Sequence, residues 1–225
     1  MSDTVVDTFF GYFRQELDAI ESLERLHYRK ILVYVFFDTL AKAAFPDVEG
    51  NRDRFTRFLN QFSSWPHWER VAAVQLSYQL EQKGVRNGEL SDIVSRLIHG
   101  HPPYSVIRAQ DEPVMQNLLM HASSDLEKRL IRRSTYLSLF YSLRNYLVHE
   151  GREPGGAYEF GRESEPMYMN LTRHDEANRP VESKELLFPY IFMRRLLEEC
   201  IDKSHAHFSS ISRDPRSSFS MSSVW

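Results

Sequence analysis

The chain has 225 residues, of which 42% are hydrophobic and 13% aromatic, and its formal net charge is -3 at pH 7. This length and apolar content suit a domain with a sizeable, aromatic-rich core, and the slightly negative charge argues against a protein that coats nucleic acid over its whole surface. The single cysteine, Cys200, excludes an intrachain disulfide and a cysteine-based zinc cluster, and points to a reducing compartment. The sequence contains neither an apolar run of membrane-spanning length nor a secretion signal, so we expect a cytoplasmic protein without a membrane segment.

Apolar periodicity predicts a mainly helical, all-α chain with a small β-hairpin or flap insertion. Prolines, glycines and capping residues divide the pattern into helices over about 4–24, 25–44, 51–62, 66–83, 89–98, 111–133, 136–150 and 187–207. The first two of these are either separate helices or one long bent helix. Residues 152–185 begin with Pro154 and two glycines and then alternate apolar and polar residues at Tyr158, Phe160 and 167–171, which favours the hairpin or an irregular flap. We therefore expect one helical domain over residues 1–208 and a disordered, Ser-rich tail over 209–225.

The helix predicted from Tyr136 carries the most informative motif of the chain, an arginine and a histidine five positions apart at Arg144 and His149. Tyr136, Leu139, Phe140, Leu143 and Leu147 form one buried stripe, and Gly151 ends the helix. Asn145 and His149 share a face, whereas Arg144 lies about 140° around the helix axis from His149. Either the long arginine side chain reaches around the helix, or a second copy of the helix completes a shared cleft across a two-fold axis. Because both side chains lie off the apolar stripe, we expect substitution of either to leave the fold intact.

The pattern of Arg144, Asn145 and His149 late in a helix-rich chain resembles the signature of the HEPN superfamily. In that signature about four to six residues separate an arginine from a histidine, and Asn or His commonly follows the arginine. The resemblance implies a HEPN-like helical bundle that dimerises through its motif helices. In many members it also implies metal-independent endoribonuclease activity, and members include toxins and phage-defence effectors. In one toxin branch a tyrosine two residues after the histidine is adenylylated by an antitoxin; Gly151 stands there in this chain, so that mode of silencing is not expected.

The chemistry of RNA gives these residue types a specific use. RNA carries its own nucleophile, the 2′-hydroxyl, so a protein that cleaves it need only move protons and stabilise charge. Imidazole exchanges protons near neutral pH, which suits His149 for general acid or base transfer. The planar guanidinium of Arg144 suits a phosphate in the transition state, and Asn145 would position one of these groups. We expect no cofactor and no metal site, because the His-x-His pairs His99/His101 and His205/His207 lack a third ligand nearby.

Basic side chains near the motif are the candidates for RNA contact. Lys128, Arg132 and Arg133 form part of a basic run just before the motif helix, and Arg152 follows His149 by three residues. Such a run is also typical of a solvated helix face, and a cation near a helix C-terminus is stabilised by the helix dipole.

Three possibilities remain open at this stage, of which the third is a purely structural helical dimer. The sequence favours a homodimeric endoribonuclease acting on single-stranded RNA, with an antitoxin or a defence protein as a further partner. The alternative is a non-catalytic HEPN-like module that binds nucleotide, RNA or a partner protein in the same cleft.

Overall fold

The part of the chain that the structure describes is mainly helical with a small antiparallel sheet, which confirms the predicted fold class. The computed structural model describes residues 2–102, 104–154, 159, 161, 163–174 and 178–219. Over these residues the helices are α1 (Ser2–Ile20), α2 (Leu26–Ala44), α3 (Asn51–Phe62), α4 (Ala73–Gln82), α5 (Glu89–His99), α6 (Met115–Leu119), α7 (Asp125–Arg133), α8 (Tyr136–Glu150) and α9 (Tyr190–Ile211). The strands are β1 (Ile107–Arg108), β2 (Met167–His174) and β3 (Pro180–Leu187). Within the described part of the chain, no helix combines the length and the apolar character needed to cross a membrane.

The chain divides into two compact units. The first comprises Met1–Trp65, Arg144–Glu153 and Tyr190–Trp225, and the second comprises Pro66–Leu143 and Pro154–Pro189. The boundary thus falls inside α8, between Leu143 and Arg144, so the motif residues belong to the first unit.

The first unit packs α1, α2, α3 and α9 around an aromatic core. Tyr34 and Phe37 of α2 contact Phe55 of α3 in tilted or edge-on geometry, and Trp65 meets Phe192 of α9 edge-on. All but Trp65 are almost fully buried, and aromatic rings bury large apolar areas, so aromatic side chains contribute much of this core. The predicted aromatic-rich core is confirmed.

The end of the first unit differs from the predicted disordered tail. α9 continues to Ile211, and Pro215–Ser218 forms a turn of 3₁₀ helix. The side chain of Asp214 accepts a hydrogen bond from the Arg216 backbone N–H, and Ser218 donates one to the carbonyl of Ala43 at the end of α2. These tertiary contacts order a segment that serine-rich composition alone assigns to disorder. The predicted tail beyond Phe219 lies outside the described residues.

The second unit combines α4 to α7 with the sheet. Its apolar cluster includes Leu76, Leu90, Val94, Leu130 and Ile131. The continuous helix predicted over about 111–133 is instead α6 and α7, because Ser124 caps a new helix at Asp125 with a capping box to Glu127. The helix predicted over 66–83 begins only at Ala73, after turns and an isolated β-bridge near Val71.

The hairpin predicted within residues 152–185 is present as β2 and β3, which pair antiparallel with Met167 opposite Leu187 and His174 opposite Pro180. The short strand β1 joins the other edge of β2, so the sheet has the order β1-β2-β3, and its third strand was not anticipated. Tyr158 and Phe160, whose alternation supported the hairpin, lie outside the described residues.

Glu112 occupies an unusual position in the second unit. Its side chain is buried, and both carboxylate oxygens accept hydrogen bonds from the backbone N–H of Ala73, at 3.2 and 3.1 Å. Ala72, at the start of α4, has no side chain able to cap the helix, so a carboxylate distant in sequence does so. Burial raises the pKa of Glu112 to about 8, against the opposing effect of the Ala73 hydrogen bond.

Candidate active site

The guanidinium of Arg144 forms a buried ion pair with Asp38 of α2. Arg144 donates from Nε and Nη2 to Oδ2 of Asp38, at 2.9 and 2.5 Å. The side chains of Arg144 and Asp38 are 7% and 27% exposed. Arg144 is therefore a buried residue. The expectation that its substitution leaves the fold intact assumed a side chain outside the core, and that assumption is wrong.

The same guanidinium reaches His149 within one chain. Nη1 of Arg144 lies 2.6 Å from Nε2 of His149 and donates a second hydrogen bond to Oδ1 of Asn145, at 3.0 Å. A guanidinium only donates hydrogen bonds, so Nε2 of His149 accepts here and the imidazole proton resides on Nδ1. Of the two arrangements left open by the helical angle, the long arginine side chain reaching around α8 is the one present, so this pair does not need a second copy of the helix.

The placement of these residues follows from the local fold of α8. The buried stripe Tyr136, Phe140, Leu143 and Leu147 fixes the helix, and Gly151 ends it with φ of +63°, as predicted for a left-handed closing position. Arg144 and Asp38 meet because the last turns of α8 pack with α2 in the first unit. His149 lies in the last turn of α8 and is exposed, so it is accessible to a substrate.

Sequence reasoning missed Asp38, which has the closest contact with the motif arginine. Lys30, Tyr34 and Asp38 recur at four-residue steps along α2, a helix whose other residues are largely apolar, and thus share one face. This polar stripe is the signal that the sequence offered. What it did not reveal are the partners of Lys30 and Asp38, each of which lies more than a hundred residues away.

The rest of the stripe continues the charge network. The buried ammonium of Lys30 lies 3.1 Å from Oε1 of Glu153, just after α8. Burial, together with the carboxylates of Glu153 and Asp38, raises the pKa of Tyr34 well above its ordinary value, so this phenol stays protonated. Burial also raises the pKa of Asp38, although the Arg144 guanidinium acts in the opposite direction. The desolvation cost of the Asp38 carboxylate therefore outweighs its attraction to Arg144.

A cleft of about 300 Å³ opens beside the Asp38–Arg144 pair. Besides that pair, its walls include Lys42 of α2, Asn51 and Arg54 of α3, and Phe219 at the end of the 3₁₀ turn. Three of these side chains are cationic and one is anionic. A cleft of this charge favours an anionic ligand over a cationic one.

The predicted RNA-contacting residues are distributed over both units. Arg152 belongs to the first unit, where Nη2 pairs with Oε2 of Glu150 at 2.7 Å and the guanidinium stacks over Tyr146. Lys128, Arg132 and Arg133 lie on α7 of the second unit; the two arginines are exposed, and Lys128 lies 3.6 Å from Asp125. The structure thus brings together Arg144, Asn145 and His149, with Arg152 three residues further on.

Two further observations bear on what the site resembles and holds. Among the described residues, no group of three or more His, Cys, Asp or Glu side chains is placed to hold a metal ion. Comparison of the chain with models of protein families, with curated proteins and with solved structures finds no significant match.

Proposed function

We propose that this chain is an endoribonuclease that cleaves single-stranded RNA by attack of the substrate's own 2′-hydroxyl, without a catalytic metal. The observation that carries the proposal is the direct contact of Arg144 with His149, a charge-stabilising group beside a proton-transfer group, at 2.6 Å. The exposure of His149 supports it further, because the reacting imidazole must meet the ribose. The likeness of Arg144, Asn145 and His149 to the HEPN motif points to the same chemistry.

In the proposed reaction His149 is the general base. Its Nε2 takes the proton of the 2′-hydroxyl while that oxygen forms a bond to phosphorus and the bond from phosphorus to the 5′-oxygen breaks. The departing 5′-oxygen takes a proton from water. The products are a 2′,3′-cyclic phosphate and a 5′-hydroxyl, and the imidazolium then returns its proton to solvent.

Arg144 stabilises the charge that develops on the phosphate oxygens. In the free protein one of its N–H groups occupies Nε2 of His149, the lone pair that the base needs. Binding of the scissile phosphate would draw that N–H to a phosphate oxygen and release Nε2 for the 2′-hydroxyl. Asp38 and Asn145 hold the remaining edges of the guanidinium, so the group keeps its position through this exchange.

The proposal extends to partners and setting. RNA is the substrate, and the protein acts in the cytoplasm. The phosphates of the RNA are contacted by four basic side chains, Arg152, Lys128, Arg132 and Arg133. We also infer a homodimer through the motif helices, as the likeness to the HEPN motif implies. An antitoxin or a defence protein would control the activity.

The deciding experiment is a cleavage assay on single-stranded RNA with purified protein, with and without EDTA. We expect cleavage whose rate EDTA leaves nearly unchanged, and its loss in His149→Ala. His149 is the cleaner test because it is exposed, whereas replacement of buried Arg144 also perturbs the fold. Removal of a positioned acid or base costs roughly 10² to 10⁴-fold in rate. Activity lost on chelation and restored by a divalent metal would contradict the mechanism.

The nucleophile is tested separately. One 2′-deoxy or 2′-O-methyl substitution at the cut site should block cleavage there, and DNA should be inert. The RNA fragments should carry 5′-hydroxyl ends, detected by their need for phosphorylation before ligation. Fragments with 5′-phosphates would show that water rather than the 2′-hydroxyl attacks.

One observation favours the second candidate, a non-catalytic binding module. Four of the five N–H groups of Arg144 are already directed at Asp38, Asn145 and His149. This arrangement would also suit an arginine whose role is to hold α2 and the end of α8 together. RNA binding that survives in His149→Ala, combined with no cleavage by the unmodified protein, would favour this module over the nuclease.

A further inference from the structure

The cleft beside Arg144 has a charge arrangement that the proposed cleavage chemistry does not use. Asp38 neutralises Arg144, so the other two cations of the walls, Lys42 and Arg54, set the net charge of the cleft. Neither forms a direct ion pair with a carboxylate among the described residues. Two cations without ion-pair partners in a concave surface attract an anion.

The two cations differ in how firmly they are held. Arg54 is fixed, since Nε donates to the carbonyl of Phe45 at 3.2 Å and Nη2 to that of Val48 at 2.8 Å. Lys42 is exposed, and its ammonium lies 5.3 Å from the centre of the Phe219 ring, which is another wall of the same cleft. A fixed guanidinium, an exposed ammonium and an aromatic ring therefore line the same cleft.

The start of α3 forms part of this wall. Asn51 is the first residue of α3 and lines the cleft, and the preceding Gly50 has no side chain to cap the helix. The first N–H groups of a helix carry partial positive charge and bind phosphate readily. The dipole of α3 therefore acts in the same direction as Lys42 and Arg54, and Nη1 of Arg54 donates a hydrogen bond to Oδ1 of Asn51 at 3.4 Å.

From this arrangement we infer that the cleft is a subsite for one nucleotide of the RNA strand next to the scissile bond, with its phosphate on Lys42, Arg54 and the start of α3 and its base against Phe219. As a subsite of the cleavage site it rests on the proposed function. The volume of about 300 Å³ suits a single nucleotide rather than a longer segment. Arg144 lines this cleft and also contacts His149, so the cleft and the proposed base share one guanidinium.

The test compares Lys42→Ala with a matched control, Lys203→Ala. Lys203 belongs to the same unit and carries the same charge as Lys42. Its ammonium, however, is bound to Glu199 on α9 and to Ser64 in the connection between α3 and α4. The probe is a fluorescent 2′-O-methyl oligoribonucleotide, which the proposed chemistry does not cleave, titrated by anisotropy over a range of salt concentrations. Lys42→Ala should weaken binding roughly three- to tenfold and reduce the slope of log K against log salt by about 0.7, the value of one phosphate contact on a single strand. Lys203→Ala should change neither.

A second variant tests the aromatic wall. Stacking or packing of a base on an aromatic side chain is worth about fivefold to a hundredfold in affinity, so Phe219→Ala should weaken binding within that range without changing the salt slope. Adenosine monophosphate serves as the free-nucleotide probe in the same titrations. If Lys42→Ala weakens binding of adenosine monophosphate but not of the oligonucleotide, the cleft serves a free nucleotide and the inference is overturned.

The two proposals fail in different ways. If RNA is cleaved in a His149-dependent manner but Lys42→Ala binds the oligonucleotide like Lys203→Ala, the subsite is overturned and the nuclease stands. If binding depends on Lys42 and Phe219 but the unmodified protein cleaves no RNA, the nuclease is overturned and the cleft remains a site for a strand nucleotide.

Discussion

Replacing one member of the buried Asp38–Arg144 pair should destabilise the protein more than replacing both. Asp38→Ala leaves the guanidinium of Arg144, whose side chain is 7% exposed, without its counter-charge. An uncompensated buried charge costs about 3 to 5 kcal/mol, and because Asp38 borders the open cleft we expect the lower end, about 3 kcal/mol. Arg144→Ala should cost a similar amount, because it removes the partner of Asp38 and the packing of a long side chain.

The double replacement should cost much less than the two single losses combined. Burial raises the pKa of Asp38 in spite of Arg144, so the desolvation of the carboxylate already outweighs the attraction between the partners. Removing both charges removes both desolvation costs. We expect a loss of about 2 kcal/mol for the double variant, which corresponds to a coupling free energy of about 4 kcal/mol between the two sites.

Urea unfolding followed by circular dichroism measures these free energies by linear extrapolation. The matched control is the Arg14–Asp202 pair of the same unit, which has a comparable distance of 2.8 Å but side chains that are 43% and 69% exposed. Exposed pairs contribute roughly 0 to 1 kcal/mol, so the same cycle there should give a coupling free energy near zero. Additive losses for Asp38→Ala and Arg144→Ala, as small a coupling as in the control, would refute the assignment of a buried, mutually dependent pair.

Three further predictions concern other buried or exposed groups. The folded-state pKa of Glu112 is raised from 4.5 to about 8, so its stabilising contribution is complete below about pH 4.5 and is lost as the pH rises to about 8. At about 1.4 kcal/mol per pKa unit, this loss is up to about 5 kcal/mol of the free energy of unfolding. Glu112→Gln keeps an oxygen for the Ala73 N–H and should flatten the dependence; an unchanged pH profile would contradict this origin. His149→Ala should leave the urea midpoint nearly unchanged, because the side chain is exposed, and a shift as large as that of Arg144→Ala would show a structural role. Burial raises the pKa of Cys200, so iodoacetamide should label that thiol only under unfolding conditions; rapid labelling of the native protein, followed by mass spectrometry, would contradict its burial.

The largest elements of the fold could be predicted from the sequence because local patterns determine them. The apolar stripe of α8 and the glycine that ends it specify that helix, and the alternating residues at 167–171 indicate the strand β2. Contacts from distant residues altered the smaller elements. Ser124 caps α7 and divides a predicted helix, Thr135 pairs with Val71 before α4 begins, and the Ala43 carbonyl orders the segment around Ser218.

The motif of the candidate site was visible in the sequence, but the contacts of its side chains were not. Helical spacing placed Arg144 about 140° from His149 and left two ways of joining them. Periodicity states which residues share a face, and it cannot state which distant side chain meets that face. The choice of Asp38 as the partner of Arg144 depends on how α2 and the last turns of α8 pack within the first unit.

The sequence by itself determined the helical class, the motif helix and its end, the hairpin and the candidate residues Arg144, Asn145 and His149, because these depend on residues near one another in the chain. Only the tertiary structure decided that Arg144 is buried against Asp38, that it reaches His149 within one chain, and that Lys42 and Arg54 line a cleft beside it. The physical reason is that burial and ion pairing depend on packing between helices. The desolvation free energy of a charged group depends on the atoms that surround it, and only the tertiary structure specifies those atoms.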